Sequence, residues 1–284
     1  MSSESIQTLI DLALAEDIGE GDVTSKYFIP AERQARAMVT ARTNGVVSGV
    51  ELAALVFATV DPTLEIECLI ADGSHVSDGA ILIQIEGKAR SILTAERTAL
   101  NFVQHLSGVA TLTAHHVEEI KDTPVRILDT RKTTPGYRQL EKQAVIDGGG
   151  HNHRMGLYDR AMVKDNHLVA DGGLQTLQAA IFRIKQEKPG VEVELECDNI
   201  EQVRDFLKLE SVDYLLLDNM SPAVMHEAVQ MRGDRSKPRF EASGGIKLEC
   251  LKDIAASGVD FISVGALTHS APALDIGLDF IPVN

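Results

Sequence analysis

The stretch from Asp129 to His167, DTRKTTPGYRQLEKQAVIDGGGHNHRMGLYDRAMVKDNH, collects Arg131, Lys132, Arg138, Lys142, His151, His153, Arg154, Arg160 and Lys164. Guanidinium forks pair with carboxylate or phosphate through two hydrogen bonds at once, so cations gathered this way point to a small anion. Gly148, Gly149 and Gly150 sit among them, and glycine permits unusual dihedrals or close approach of the main chain to a ligand. Downstream, Glu196 and Asp218 offer a carboxylate pair, the oxygen ligands that Mg²⁺ prefers when it also binds substrate phosphate. Ser243, Gly244, Gly245 and Gly265 could cradle a phosphate on backbone N–H groups. Together these groups could stabilise a departing pyrophosphate by charge. A solvated basic helix with a flexible loop is the plain alternative for the basic run alone.

The background sharpens the signal. The chain has a formal net charge of −15, which argues against nucleic acid or an anionic membrane as the main partner. A local cluster of cations in such a chain is informative, because a cleft can focus its field. Hydrophobic content of 44% and charged content of 24% describe a globular chain able to bury a core. The three cysteines, Cys68, Cys197 and Cys250, are far apart and form no CxxC pair, so buried free thiols in a reducing compartment are expected. The first residues read as an amphipathic helix rather than a signal peptide, and no apolar run reaches the ~20 residues of a membrane span, so a cytoplasmic location is expected.

The elements that must position these groups follow from periodicity. Ser5 to Ala15 has helical spacing, and Glu16 to Ser25 reads as an acidic loop. Strands are expected over Ala35–Thr43, Val46–Val50, Leu64–Ile70 and Ala80–Ile85, with a helix over Glu51–Ala58. Thr94 to Leu106 reads as a helix capped by Thr94 and broken by Gly108. A second helix, Val109 to Lys121, carries His115 and His116, both expected at the surface. From Val125 the rhythm becomes β-α, with apolar runs at Val125–Leu128, Ala161–Val163, Val191–Leu195, Tyr214–Leu217, Arg239–Ala242 and Phe261–Val264. Amphipathic stretches lie between them, at Gly173–Lys188, Ile200–Leu209, Ala223–Met231 and Leu248–Ser257. Each run is followed by polar or glycine residues, and the C-terminal ends of parallel strands are where barrels build active sites. An open doubly wound sheet, which binds ligands at the same ends, is the alternative.

At these residues the chain resembles the quinolinate phosphoribosyltransferase family. The likeness runs through EDIGEGDVTS, AERTALNFVQHLSGVAT, DTRKTTPGYRQLEKQAV, GGGHNHRMGLYDRAMVKDNH, VELE, LLLDN, EASGGI and FISVGALTHSAPALDIGLDF. The fold it implies is α/β: an N-terminal α/β sandwich domain (1–108), a six-stranded incomplete β/α, TIM-like barrel (109–270), and a C-terminal segment (271–284) returning to the first domain. The function it implies is transfer of the phosphoribosyl group of phosphoribosyl pyrophosphate to quinolinate with decarboxylation. The products are nicotinate mononucleotide, pyrophosphate and CO₂, in de novo NAD biosynthesis with Mg²⁺ as cofactor.

By motif, Arg97 would reach into a neighbouring subunit's site in a homodimer or larger assembly. Arg131, His153, Arg154 and Lys164 would hold the quinolinate carboxylates. Lys132 and Thr133 would contact substrate, with Lys132, Glu196 and Asp218 at the chemistry, the last two also serving ribose and Mg²⁺. Ser243, Gly244, Gly245, Gly265 and Ala266 would hold phosphate. Asp165-Asn166-His167 would orient Lys164 or close a turn. Three competing readings are a paralogue acting on another heteroaromatic acid, a metal-dependent hydrolase using His151, His153 and Asp218, and a sugar-phosphate binding protein without turnover.

Overall fold

A computed structural model describes residues 3–164 and 173–281. The chain divides into two compact units, one of 1–114, 133–149 and 267–284, the other of 115–132 and 150–266.

The first unit is built on an antiparallel sheet in the order β12-β1-β5-β3. Its strands are β1 (Gln34–Ala41), β3 (Glu65–Cys68), β5 (Ile81–Lys88) and β12 (Ile276–Ile281); two short strands, β2 (Gly45–Val46) and β4 (His75–Val76), pair separately. Along β1 the residues alternate, Ala35, Ala37 and Val39 buried while Gln34 and Arg36 face solvent, as a sheet with one covered face requires. Helices α1 (Ser3–Ile18), α3 (Val50–Val60) and α5 (Arg138–Asp147) belong to this unit, and Ile10, Val56, Phe57, Ile83, Ile85 and Phe102 are among its fully buried side chains.

Five sequence expectations are corrected here. Of the three cysteines Cys197 alone is buried, and Cys68 and Cys250 are exposed. The loop over Glu16–Ser25 contains the start of a helix, α2 (Val23–Phe28), capped by Asp22, whose carboxylate accepts from the Ser25 N–H at 2.9 Å. Thr94 caps nothing, and Gly108 breaks nothing: both lie inside one helix, α4 (Ala89–Glu119). The Thr94 hydroxyl donates to Asp22 at 3.0 Å. Gly108 is a packing residue, since a Cβ there would stand 2.1 Å from the Pro272 carbonyl oxygen. His115 is exposed as expected, but His116 is buried, at 4% exposure.

The second unit is a parallel sheet of six strands: β6 (Arg126–Leu128), β7 (Arg160–Val163), β8 (Glu192–Cys197), β9 (Tyr214–Asp218), β10 (Arg239–Ser243) and β11 (Phe261–Ser263). These are the six apolar runs. Their order is β6-β11-β10-β9-β8-β7, so the first strand closes onto the last, while among the described residues no pairing joins β6 to β7. That is a β/α barrel with one open seam. Beside β6 the seam is lined by the segment at His151, which makes a parallel bridge to Leu128. Helices α6 (Gly173–Glu187), α7 (Ile200–Phe206), α8 (Pro222–Arg232) and α9 (Leu251–Ala256) return the chain between strands, and α10 (Ala266–His269) follows β11. Ser221, with Pro222 at the first turn of α8, and Asn199 before α7 supply side-chain caps.

Candidate active site

Arg131 and Lys132 follow β6, Lys164 follows β7, Glu196 ends the inward-facing row of β8, Asp218 ends β9, and Ser243 ends β10. Parallel strands therefore bring these groups to one end of the barrel. Lys164 Nζ lies 2.5 Å from Glu196 Oε2, an ion pair formed across adjacent strands. Oxygens of Glu196, Asp198 and Asp218 all lie within 4.8 Å of one another, a set of hard donors that fits Mg²⁺ held through few carboxylates. Asp198 is an addition to the sequence reading.

Next to this carboxylate group the backbone takes left-handed turns. Asn219 has φ 53°, and its side chain donates to Asp218 at 2.7 Å while its N–H donates to the Ser243 carbonyl at 2.9 Å. Gly244 (φ 95°) is forced by this neighbour: a Cβ there would meet Asn219 Oδ1 at 2.3 Å and its backbone N at 2.7 Å. Gly245 (φ 56°) faces open space, so its main chain can be approached closely. Gly265 and Ala266 follow β11 at the same end. Consecutive residues of this kind aim backbone N–H groups at an anion.

On the other side of the mouth the guanidiniums of Arg131 and Arg154 lie near enough to repel each other. Burial and then the neighbouring charge of Arg131 hold the Arg154 guanidinium below the usual arginine range. Arg154 is braced by its own hydrogen bonds, Nη1 to the Arg160 carbonyl at 3.0 Å and Nη2 to Met162 Sδ at 3.5 Å. Arg131 Nε is buried with no hydrogen-bond partner among the described residues. Two guanidiniums that repel each other, one with an orphaned donor, form a socket for an anion.

Behind Arg154 lies a buried ionic group that the sequence reading passed over. His153 is 6% exposed, and its Nε2 stands 3.3 Å from Glu194 Oε2 and 3.3 Å from Glu241 Oε1. Burial disfavours a charge on His153, but Glu241 and Glu194 outweigh it and raise its pKa to about 9. Its Nδ1, however, accepts the Arg154 N–H at 2.7 Å, a contact that leaves no place for a second ring proton. The contact decides the resting form: a neutral ring with its proton on Nε2, facing the glutamates. Burial and then Glu241 push Glu194 up, while hydrogen bonds from the His153 ring and the Ser263 hydroxyl pull Glu241 down against its burial. The Arg160 guanidinium lies 3.5 Å from Glu194 and 3.9 Å from Glu241. His153, Glu194 and Glu241 also have the spacing of a metal site, but the Arg160 guanidinium, 3.4 Å from His153 Nε2, occupies the face a metal would need. His151, which the hydrolase reading would join to His153 and Asp218, belongs to neither metal-capable group among the described residues.

Other expected groups go elsewhere. Arg97, 59% exposed on α4, and Thr133, whose hydroxyl accepts from Arg138 at 3.0 Å, belong to the first unit. Lys132 is exposed, with its N–H on Thr130 Oγ1. Lys142 is fully buried in α5. Gly148 serves packing, since a Cβ there would meet the Ala110 carbonyl at 2.3 Å. Asp165, Asn166 and His167 lie outside the described residues. A cavity of about 460 Å³ opens at the N-terminal end of the strands, beside Lys185, Asp213, Arg235 and Lys237. Its cations are already engaged: both lysines hold Asp213, at 2.5 and 2.6 Å, and Arg235 donates to three carbonyls. The chemistry belongs to the opposite end.

The family models for the N-terminal and C-terminal domains of quinolinate phosphoribosyl transferase match residues 22–107 and 109–279. A quinolinate phosphoribosyltransferase [decarboxylating] 2, mitochondrial, of Nicotiana glauca is 42% identical over 96% of this chain and 81% of that protein. The chloroplastic nicotinate-nucleotide pyrophosphorylase [carboxylating] of Arabidopsis thaliana is 41% identical over 96% of this chain and 82% of its own length. Among solved structures, the nicotinate-nucleotide pyrophosphorylase of Francisella tularensis superposes with a TM-score of 0.92 at 36% identity, covering 99% of this chain and 98% of that one. With its two domain models, its near full-length relatives and its open-seamed barrel, the chain belongs to the quinolinate phosphoribosyltransferase family.

Proposed function

We propose that this chain transfers the phosphoribosyl group of phosphoribosyl pyrophosphate to the ring nitrogen of quinolinate, releasing pyrophosphate and CO₂ and forming nicotinate mononucleotide. The observation that carries the reading is the Arg131–Arg154 pair, which is under mutual repulsion and includes a buried donor without a partner. A dicarboxylate supplies what this pair lacks, and Lys164 adds a third cation at the same end.

The residues divide the work by charge. Arg131 and Arg154 hold the carboxylates, with His153 behind them and Lys164 and Lys132 beside them. The Ser243-Gly244-Gly245 turn, with Gly265 and Ala266, takes phosphate on main-chain N–H groups. Glu196 and Asp218, with Asp198, would hold Mg²⁺, which when bound neutralises charge on the departing pyrophosphate. The nitrogen lone pair forms the new bond to C1 of the ribose as the C1–oxygen bond to pyrophosphate breaks. The ring nitrogen becomes cationic, and its charge stabilises the electron pair left on C2 when the bond to the carboxylate breaks and CO₂ departs. C2 then takes a proton. Positioning and electrostatics account for this sequence without a covalent enzyme intermediate. A paralogue specific for a monocarboxylate would not need two neighbouring guanidiniums.

Arg97, exposed on α4, is proposed to complete the site of a second copy in a homodimer, and a cytoplasmic location is proposed with it. The relatives from Nicotiana glauca and Arabidopsis carry organellar names, so cell fractionation is the check on location. Among the described residues no helix is long and apolar enough to cross a membrane. The function is tested by offering the purified protein phosphoribosyl pyrophosphate and Mg²⁺ with either quinolinate or nicotinate. Product from quinolinate alone supports the reading, and product from nicotinate alone overturns it.

A further inference from the structure

The barrel interior raises a question that the substrate site leaves open. Interiors of such barrels are normally filled by branched apolar side chains. Here β8 and β10 instead bury Glu194 and Glu241, each at 0% exposure. Removing carboxylates from water is costly even when they are paired, so a buried ionic group is weak evidence for stability and asks for another purpose.

A continuous set of contacts leads from this group to the substrate cations. Glu241 Oε1 accepts from the Ser263 hydroxyl at 2.5 Å and lies 3.3 Å from His153 Nε2. Across the same ring, His153 Nδ1 accepts the backbone N–H of Arg154 at 2.7 Å. The His153 N–H is tied to Asp129 Oδ1 at 2.8 Å, and the Arg154 guanidinium is braced by the Arg160 carbonyl at 3.0 Å. Both ring nitrogens are therefore occupied within the protein, and the ring is buried. Its evident service is to fix Arg154.

We infer that Glu241 is a positioning residue for the substrate-carboxylate site, acting through the His153 ring on the backbone and guanidinium of Arg154. The inference rests on the function proposed above. Side chains that touch substrate hold their geometry only when a supporting layer locks their rotamers, and Glu241 supplies that layer from the strand opposite the seam. Glu241 is the better probe than Glu194, which lies two residues from Glu196.

The test is steady-state kinetics of Glu241→Met and Glu241→Gln, with both substrates varied. Met approximates the side-chain volume without a hydrogen-bond acceptor; Gln keeps an oxygen for the His153 Nε2–H. The expected result is a rise of about tenfold in the quinolinate KM of the Met variant, the loss of roughly one charge-assisted hydrogen bond. The KM for phosphoribosyl pyrophosphate stays within about twofold, and the Gln variant restores quinolinate KM to near wild type. An unchanged quinolinate KM in the Met variant overturns the inference. So does an equal rise in both KM values, the mark of general disorder, or a Gln variant as impaired as Met. If the Met variant does not fold, Ser263→Ala frees one side of the Glu241 carboxylate and should shift quinolinate KM alone, by about two- to threefold; no shift overturns the inference. Wild-type enzyme in the same assay separates the two readings: no turnover of quinolinate sinks the proposed function, whereas normal turnover with unaffected variants sinks only the role of Glu241.

Discussion

Replacing Arg154 by alanine removes a guanidinium that sits beside another guanidinium and waits for an anion. In the free protein the change loses two hydrogen bonds, to the Arg160 carbonyl and to Met162 Sδ, at 3.0 and 3.5 Å. The second is weak, so the loss is about 1 kcal/mol. The same change relieves the repulsion that Arg131 and Arg160 exert on Arg154, and forfeits the attraction of Glu194 and Asp159. These contributions oppose each other, so the net change in folding stability should stay below about 1 kcal/mol. With substrate bound the balance reverses, because a carboxylate buried against Arg131 loses its second partner. Truncating one member of a desolvated charged pair costs about 2–5 kcal/mol; for this half-buried position the lower part, about 2–3 kcal/mol, applies. That corresponds to a fall of about 30- to 150-fold in kcat/KM for quinolinate. The assay pairs quinolinate-dependent turnover with thermal unfolding of the free protein. A variant that loses more stability than transition-state binding, or that keeps wild-type kcat/KM, would refute the account of the socket.

Two further changes probe the same architecture elsewhere. Gly244→Ala forces a Cβ to within 2.7 Å of the Asn219 backbone at a φ of 95°, so the turn beside Asp218 must move; KM for phosphoribosyl pyrophosphate should rise well above any change in quinolinate KM, as substrate titrations will show. Asp213→Asn tests the opposite end of the barrel. Burial pushes the Asp213 carboxyl up, but Lys185, Lys237 and the Val193 N–H outweigh it and hold it below the usual carboxylate range. A depressed carboxyl contributes stability above its unfolded pKa of ~3.9, and that contribution is lost as pH falls through the lower folded value. The Asn variant should therefore be about 1–3 kcal/mol less stable at pH 7, with the gap to wild type closing in acid melts and quinolinate KM unchanged; a gap that persists at low pH would contradict this.

How much of this was legible in the sequence depended on the kind of signal. The six barrel strands were readable because each is a short apolar run bounded by turns, and the polar residue after each run marked one end of the sheet. Lys164 and Glu196 could be placed together on that logic. Gly108 misleads because a glycine within a helical pattern reads as a breaker, whereas its cause is the carbonyl of Pro272, far along the chain. His116 misled for a similar reason: local pattern does not show what packs on a long helix.

The Glu194–Glu241 group was missed although its trace is present. Glu192, Glu194 and Glu196 alternate through VEVELEC, so a strand that reads as buried carries three acids on one face. Alternation of that kind in a parallel strand points to polar groups inside the barrel. What the sequence does not show is their partners, since Arg160, Tyr214 and Arg239 come from three other strands. Both arginines stack on the Tyr214 ring, at 4.1 and 4.6 Å from its centroid.

The most direct test of the central claim follows one carbon. Quinolinate labelled in its 2-carboxylate is incubated with the protein, phosphoribosyl pyrophosphate and Mg²⁺, and the label is followed into CO₂ and into nucleotide. The account predicts label released as CO₂ in equal amount to pyrophosphate, with unlabelled nicotinate mononucleotide as product. Label retained in a nucleotide, or pyrophosphate released without CO₂, would contradict it.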